Sequence, residues 1–165
     1  MKKGQKTKNR TLFVCYSAII AALYVVLTYV SSLLGLSSGA IQLRLSEMLC
    51  ILPVFTTAAI PGLTLGCLLA NMLTGAIWLD VVAGSLATLL GALGTYALRQ
   101  YKWIMPLPAV LANTLIVPFV LAYGYGVQQA IPLMMLTVGI GELLSAYLLG
   151  ILLYMTLNKR ASHLF

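Results

Sequence analysis

The sequence predicts an all-α integral membrane bundle of six transmembrane helices with both termini cytoplasmic. Hydrophobic residues make up 61% of the 165 residues and charged residues only 8%. Soluble domains carry roughly a quarter charged residues, and a chain this poor in charge cannot cover a water-facing surface. Mean hydropathy is +1.01. The few bases, moreover, gather at the ends of apolar runs. The whole chain, 1–165, reads as a single membrane domain, with a basic cytoplasmic tail over 1–11 and a short cytoplasmic tail over 158–165.

Apolar segments run at 12–35, 46–60, 62–78, 81–98, 105–124 and 131–157. The opening "MKKGQKTKNRTLF" has the look of a signal peptide's charged region. The apolar run from Leu12 to Leu36 exceeds the roughly 7–15 residues of a cleavable core, so it is expected to stay as the first helix. Each break has a local cause. Gly35 to Gly39 is a Ser/Gly stretch, Pro61-Gly62 is a turn dipeptide, and Asp80 interrupts the third break. "RQYKW" (Arg99–Trp103) and "YGYGVQQ" (Tyr123–Gln129) supply the last two. The second segment is short, about 15 residues or ~22 Å of α-helix, and contains Pro53. Crossing a ~30 Å core requires a kink or extra length from "IQLRLS".

Charge tests the count of spans. With the N-terminus inside, Lys2, Lys3, Lys6, Lys8, Arg10, Arg99, Lys102, Lys159 and Arg160 are all inside, and Arg44 alone of the ten bases is outside. An odd number of spans throws the last pair outside, against the positive-inside rule. The net charge of +7 therefore reports orientation in the lipid bilayer rather than a nucleic-acid partner.

Several function classes drop out. Cys15, Cys50 and Cys67 lie in apolar runs without a CxxC, and His163 is the only histidine, so no metal site is expected. There is no P-loop, HExxH or G-x-S-x-G, and no nucleophile paired with a histidine. Neither catalysis nor a cofactor is expected. No convincing internal repeat marks a self-sufficient secondary transporter. The chain reads as a binding subunit that draws energy from another protein.

Only three acids occur: Glu47, Asp80 and Glu142. Glu142 lies about eleven residues into the sixth segment, near the midplane at ~1.5 Å per residue. A carboxylate there costs about 2.5–3.5 kcal/mol on insertion scales and must face the bundle interior or a wet cavity. Two readings stand: a protonated acid bonding a neighbouring helix, or a ligand carboxylate beside the small residues Gly139, Ala146 and Gly150. In the third segment Thr64, Cys67, Asn71, Thr74 and Trp78 share one helical face. That face is either a packing stripe with Trp78 as interfacial anchor, or a polar wall with Trp78 stacking on a planar ligand. Asn113 is a lone amide in hydrocarbon. Arg44 and Glu47 are expected near the outer boundary, either neutralising each other or carried on a loop that lids the mouth. In the first segment Ala18 and Ala22, like Ser17 and Ala21, are four apart, a flat strip against which another helix can pack.

The basic N-terminus, "AIIAALYVVLT", "GAIQLRLSEMLCILPVFTTAAIPGLTLGCLLAN", "LDVVAGSLATLLGALGTYALR" and "VGIGELLSAYLLG" together resemble the QueT family over about Thr11 to Leu157. That family comprises substrate-binding (S) components of energy-coupling factor transporters for a queuosine precursor. The resemblance implies a six-helix S component in the cell membrane, docked on a transmembrane T subunit with two cytosolic ATPases. It implies docking through the strip at Ala18 and Ala22, and a small heterocyclic substrate held near the outer side, where this chain has Arg44, Glu47, Trp78, Asp80 and Glu142; for such a base, amides such as Asn71 or Asn113 suit its carbonyl. An S component for another vitamin, such as thiamine, is the nearest rival. A small homo-oligomeric channel or scaffold is the rival from another class, and it predicts self-association through the same strip.

Overall fold

The computed structural model of the chain describes residues 2–36 and 42–164, with side chains over 10–36 and 42–159. Most of the Ser/Gly break at 35–39 lies outside the described residues, as do the side chains of both tail ends, His163 among them. The elements are α1 (Lys2–Leu33), α2 (Leu45–Val54), α3 (Ala59–Leu73) and α4 (Trp78–Ala97). They are followed by α5 (Leu107–Phe119, prolonged by a π-helical turn over Val120–Gly124) and α6 (Ile131–Glu142, running through π-helical turns at Leu143–Leu149 into Gly150–Leu164). No strand occurs among the described residues. Four stretches are long and apolar enough to cross a membrane: Arg10–Leu33, Trp78–Ala97, Leu107–Gly124 and Ile131–Lys159.

The two short elements complete the bundle differently. Ser17 meets Ala58, and Tyr29 meets Leu73, so α1 and α3 run parallel and α2 must bring the chain back between them. It does so in 10 residues wound as a 3-10 helix, which rises ~2.0 Å per residue and covers ~20 Å. The same residues in an α-helix cover ~15 Å. The α1 helix supports this thin element: Leu45 N–H donates to Ser31 Oγ at 2.8 Å, and Thr28 Oγ1 donates to Ser46 Oγ at 2.9 Å. Ser31 thereby satisfies a backbone donor that the first turn of α2 leaves free. Pro53, which has no N–H to offer, is buried inside this element. The remaining neighbours alternate in direction: Asn71 of α3 meets Asp80 of α4, Gly91 of α4 faces Ala109, and Gly139 of α6 faces Thr114. The two chain ends therefore emerge at one end of the bundle.

Two expected boundaries move, each for a stated reason. Pro61-Gly62 is not a turn: α3 starts at Ala59, and proline is tolerated in a first helical turn. The third segment stops at Leu73 rather than at 78, because Gly75 takes φ +74° and Ala76 N–H closes back on Asn71 O at 2.9 Å, a glycine-terminated helix end. Trp78 therefore opens α4 and does not extend the face of α3.

The α1 and α3 helices approach closely through glycine. A Cβ built on Gly62 meets Ser17 O at 2.8 Å, and one on Gly66 meets Tyr24 Cβ at 2.7 Å and Ala21 O at 3.1 Å. Gly66→Ala gains about 1 kcal/mol of helix propensity but must push α1 and α3 apart, an overpacking cost of about 1–3 kcal/mol. We expect a lower midpoint in thermal unfolding of the detergent-solubilised protein. An unchanged or higher midpoint shows that the helices separate freely.

Candidate functional site

A narrow cleft forms where α2, α3, α4, α5 and α6 converge. It is lined by Gln42, Arg44, Glu47, Cys67, Gly84, Thr88, Asn113, Val117, Val138 and Glu142. Four of the seven residues singled out from sequence thus meet at one place: Arg44, Glu47, Asn113 and Glu142. In the middle of an apolar bundle, that is a concentration of the chain's scarce polar groups.

Glu47 is 2% exposed, and its carboxylate is shared among three elements. Tyr24 Oη donates to Oε1 at 2.5 Å, Cys50 Sγ to Oε2 at 3.2 Å and Asn113 Nδ2 to Oε2 at 3.3 Å. The Cys50 contact follows from the winding, because residues three apart eclipse in a 3-10 helix. The same rule fails for Arg44, which precedes the helix with extended backbone, φ −106° and ψ 107°. Its side chain leaves the stack, and no ion pair joins Arg44 to Glu47 among the described residues. Of the two readings for Arg44 and Glu47, the neutralising pair is absent among the described residues, and Arg44 lines the cleft.

Glu142 is in the opposite condition. It is 8% exposed, yet its Oε2 is buried without a hydrogen-bond partner. A buried carboxylate oxygen left unpaired is costly, and Glu142 is one of the residues lining the cleft. Asn113 faces both acids, donating to Glu47 and lying against the Glu142 carboxylate. The π-helical turns of α6 begin at the next residue, Leu143; such departures from α-geometry occur mostly at functional sites.

Asn71 and Asp80 stand apart from the cleft. Asn71 Nδ2 donates to Asp80 O at 3.4 Å, and a Cβ on Gly84 meets that amide at 3.0 Å and Asp80 Oδ1 at 3.4 Å. They form a second polar node behind Gly84, bracing the α3–α4 turn. Asp80 is in the first turn of α4, where a carboxylate complements the helix dipole. Tyr125, just beyond α5, fastens this node: its hydroxyl donates to Asp80 Oδ2 at 3.1 Å and accepts Ile77 N–H at 3.3 Å. Partial burial, then the Asp80 carboxylate, push the Tyr125 phenol above its ordinary pKa, so it remains a donor. Trp78 is 74% exposed and is not brought to the cleft; its stacking role is not supported by this geometry.

Tyr24, Gln42 and Tyr125 were missed from sequence. Tyr24 had a signal, since a tyrosine in the middle of a membrane helix needs a partner for its hydroxyl. The pairing of Tyr125 with Asp80, 45 residues apart, had none.

The cleft is tight. Its free space is about 20 Å³, room for about one water. Beside it lies a cavity of about 160 Å³ lined by Gln42, Leu121, Val127, Gln129, Met134, Thr137 and Val138. Gln42 and Val138 belong to both, so these two residues form the wall between them.

Residues 14–159 match the family described as QueT transporter. The chain belongs to the QueT transporter family. It is accordingly a multi-pass membrane protein of a transport family, not an enzyme. A curated relative, the queuosine precursor transporter QueT of Lactococcus lactis subsp. cremoris (strain MG1363), is 40% identical over 96 residues, 58% of this chain and 56% of that protein. The match thus spans about half of the relative's length. No solved structure matches the chain.

In this QueT-family chain the small-residue strip of α1 is divided between two faces. Ser17 and Ala21 turn inward onto Gly62 and Gly66, with Ser17 Oγ donating to Ala58 O at 2.9 Å. Ala18 and Ala22 are exposed and line an apolar groove of about 550 Å³ between α1 and α3, which Ser17 and Ala21 also border and whose walls include Phe13, Leu65 and Leu69.

Proposed function

We propose that this chain is the substrate-binding component of an energy-coupling factor importer and that its cleft binds a queuosine precursor resembling 7-aminomethyl-7-deazaguanine. The observation that carries the reading is Glu142, which keeps a buried carboxylate oxygen without a partner and lines a cleft that also holds Arg44, Glu47 and Asn113. A guanine-like base presents N–H donors on one edge and a carbonyl acceptor beside them. Glu142 accepts from the N–H edge, and the Arg44 guanidinium donates to the carbonyl. The aminomethyl group adds a cation, which suits a site holding two of the chain's three acids. Admitting a bicyclic base requires the segment at 42–44 to shift, merging the cleft with its 160 Å³ neighbour. Gln42 and Arg44 then act as the lid. With nine of the ten bases at the end that carries the termini, that end is cytoplasmic and the lid faces outward.

Calorimetry on the detergent-solubilised protein tests the reading. Binding of 7-aminomethyl-7-deazaguanine with thiamine inert supports it, and the reverse result reassigns the substrate. Mass spectrometry of the small molecule that co-purifies is the complementary check.

Arg44 and Glu47 are expected to act separately. Glu47→Ala strips acceptors from Tyr24, Cys50 and Asn113 and lowers stability by about 2–4 kcal/mol. Arg44→Ala leaves the bundle intact and weakens ligand binding. Because the two make no ion pair, a double-mutant cycle on unfolding of the ligand-free protein should show coupling below about 0.5 kcal/mol. A larger coupling reinstates the pair.

A further inference from the structure

A second polar cavity, of about 410 Å³, opens at the end of the bundle that carries the termini, lined by Pro53, Val54, Phe55, Thr56, Thr57, Tyr96 and Arg99. It lies on the opposite side of the membrane from the lid. Arg99 is held over the Tyr96 ring at 4.2 Å, which fixes the direction of its guanidinium. No acid lines this cavity, and the chain's three acids, Glu47, Asp80 and Glu142, are all buried elsewhere. Thr56 Oγ1 accepts the Ala58 N–H at 3.3 Å, leaving its own proton to donate. Thr57 is exposed beside it.

The surroundings fix the depth of this cavity. Phe55 packs on Tyr154 at 5.4 Å, and Lys102 Nζ lies 5.2 Å from the Trp103 ring and 6.0 Å from that of Tyr154. Tyr101 and Trp103 are exposed. Aromatic rings mixed with bases mark the headgroup level of a bilayer. The cavity is therefore open where phosphodiesters lie, and no acid among the described residues compensates its charge.

We propose that this cavity binds the phosphate of an anionic phospholipid of the cytoplasmic leaflet. Arg99 supplies a fork of N–H donors to two phosphate oxygens, and the Thr56 and Thr57 hydroxyls reach the others. The remaining volume takes the glycerol. Basic pockets between helices on the cytoplasmic side recognise such headgroups, each base contributing about fivefold in affinity. The site is distinct from the substrate cleft and independent of its ligand.

Native mass spectrometry of the full chain, equilibrated with phosphatidylglycerol or phosphatidylcholine, tests this. The wild type should retain phosphatidylglycerol in preference by about fivefold or more, and Arg99→Gln should abolish the preference. Thr57→Val should weaken it, whereas Arg10→Gln, which removes an exposed base from the same end of the bundle, should leave it intact. Equal loss in Arg10→Gln and Arg99→Gln shows diffuse charge rather than a site and overturns the proposal. So does displacement of the lipid by millimolar inorganic phosphate, which makes this a free-anion site. Equal retention of both lipids, with Arg99→Gln instead blocking capture of the ATPase module, reassigns the cavity to an acidic protein partner.

Discussion

Glu142→Gln should leave the protein folded while lowering affinity for a 7-aminomethyl-7-deazaguanine-like base by about tenfold or more, about 1.4 kcal/mol. The substitution keeps shape and volume, so the packing of Gly139 against Thr114 and of Gly150 near Met48 and Ile51 is undisturbed. What changes is the oxygen that has no partner. A carboxylate accepts at both oxygens; an amide accepts at one and presents donors at the other, against the N–H edge of a base. The mismatch is repulsive as well as a loss of charge, and in a dry site neither is screened. Glu142→Asp offers a useful contrast: it retains the charge but withdraws it by one methylene, so partial recovery identifies distance as the remaining deficit. The alternative reading makes Glu142 a helix-to-helix tie. Calorimetry separates the two, because in that case Glu142→Gln lowers the unfolding midpoint and leaves affinity unchanged.

The sequence made the membrane bundle legible because its main signal is composition, and composition needs no geometry. Charge segregation supplied the six passes. The pattern did not foretell the manner of the second pass: "LSEMLCILPV" reads as a short α-helix, and its 3-10 winding follows from the distance that α1 and α3, running parallel, leave it to cover. Trp78 falls outside the face of α3 for a local reason: the positive φ of Gly75 ends that helix before it. Within the site, single residues were more legible than pairs. Glu142 and Asn113 stand out because polar groups in hydrocarbon need a reason to be there. The partners of Glu47 were not legible, since Tyr24 and Asn113 come from other helices and its neighbour in sequence, Arg44, is not among them. Spacing along a chain predicts contacts only within one regular element, and Arg44 lies just outside it.

Ala18→Trp with Ala22→Trp should abolish assembly with the T subunit and its ATPases, and with it uptake, while leaving substrate affinity within about twofold. The geometry of α1 allows so clean a separation. Ser17 and Ala21 hold the inner face against Gly62 and Gly66, and Ala18 and Ala22 line the outer groove. Large side chains at the outer pair fill a 550 Å³ groove without entering the α1–α3 contact, so the fold has little reason to change. In lipid no hydrophobic drive favours one apolar surface over another; helices associate through close packing on small residues. Two indoles remove that closeness over a full turn, and the docking energy goes with it. The same substitutions at Ser17 and Ala21 should instead destabilise the fold, because the backbone at those positions packs directly onto Gly62 and Gly66. Pull-down of the ATPase module and calorimetry on the isolated chain read the two effects separately. Normal pull-down by the double variant excludes the groove as the docking face. Loss of a homo-oligomer, with no ATPase module captured by the wild type, instead identifies the strip as a self-association surface and the chain as a channel or scaffold.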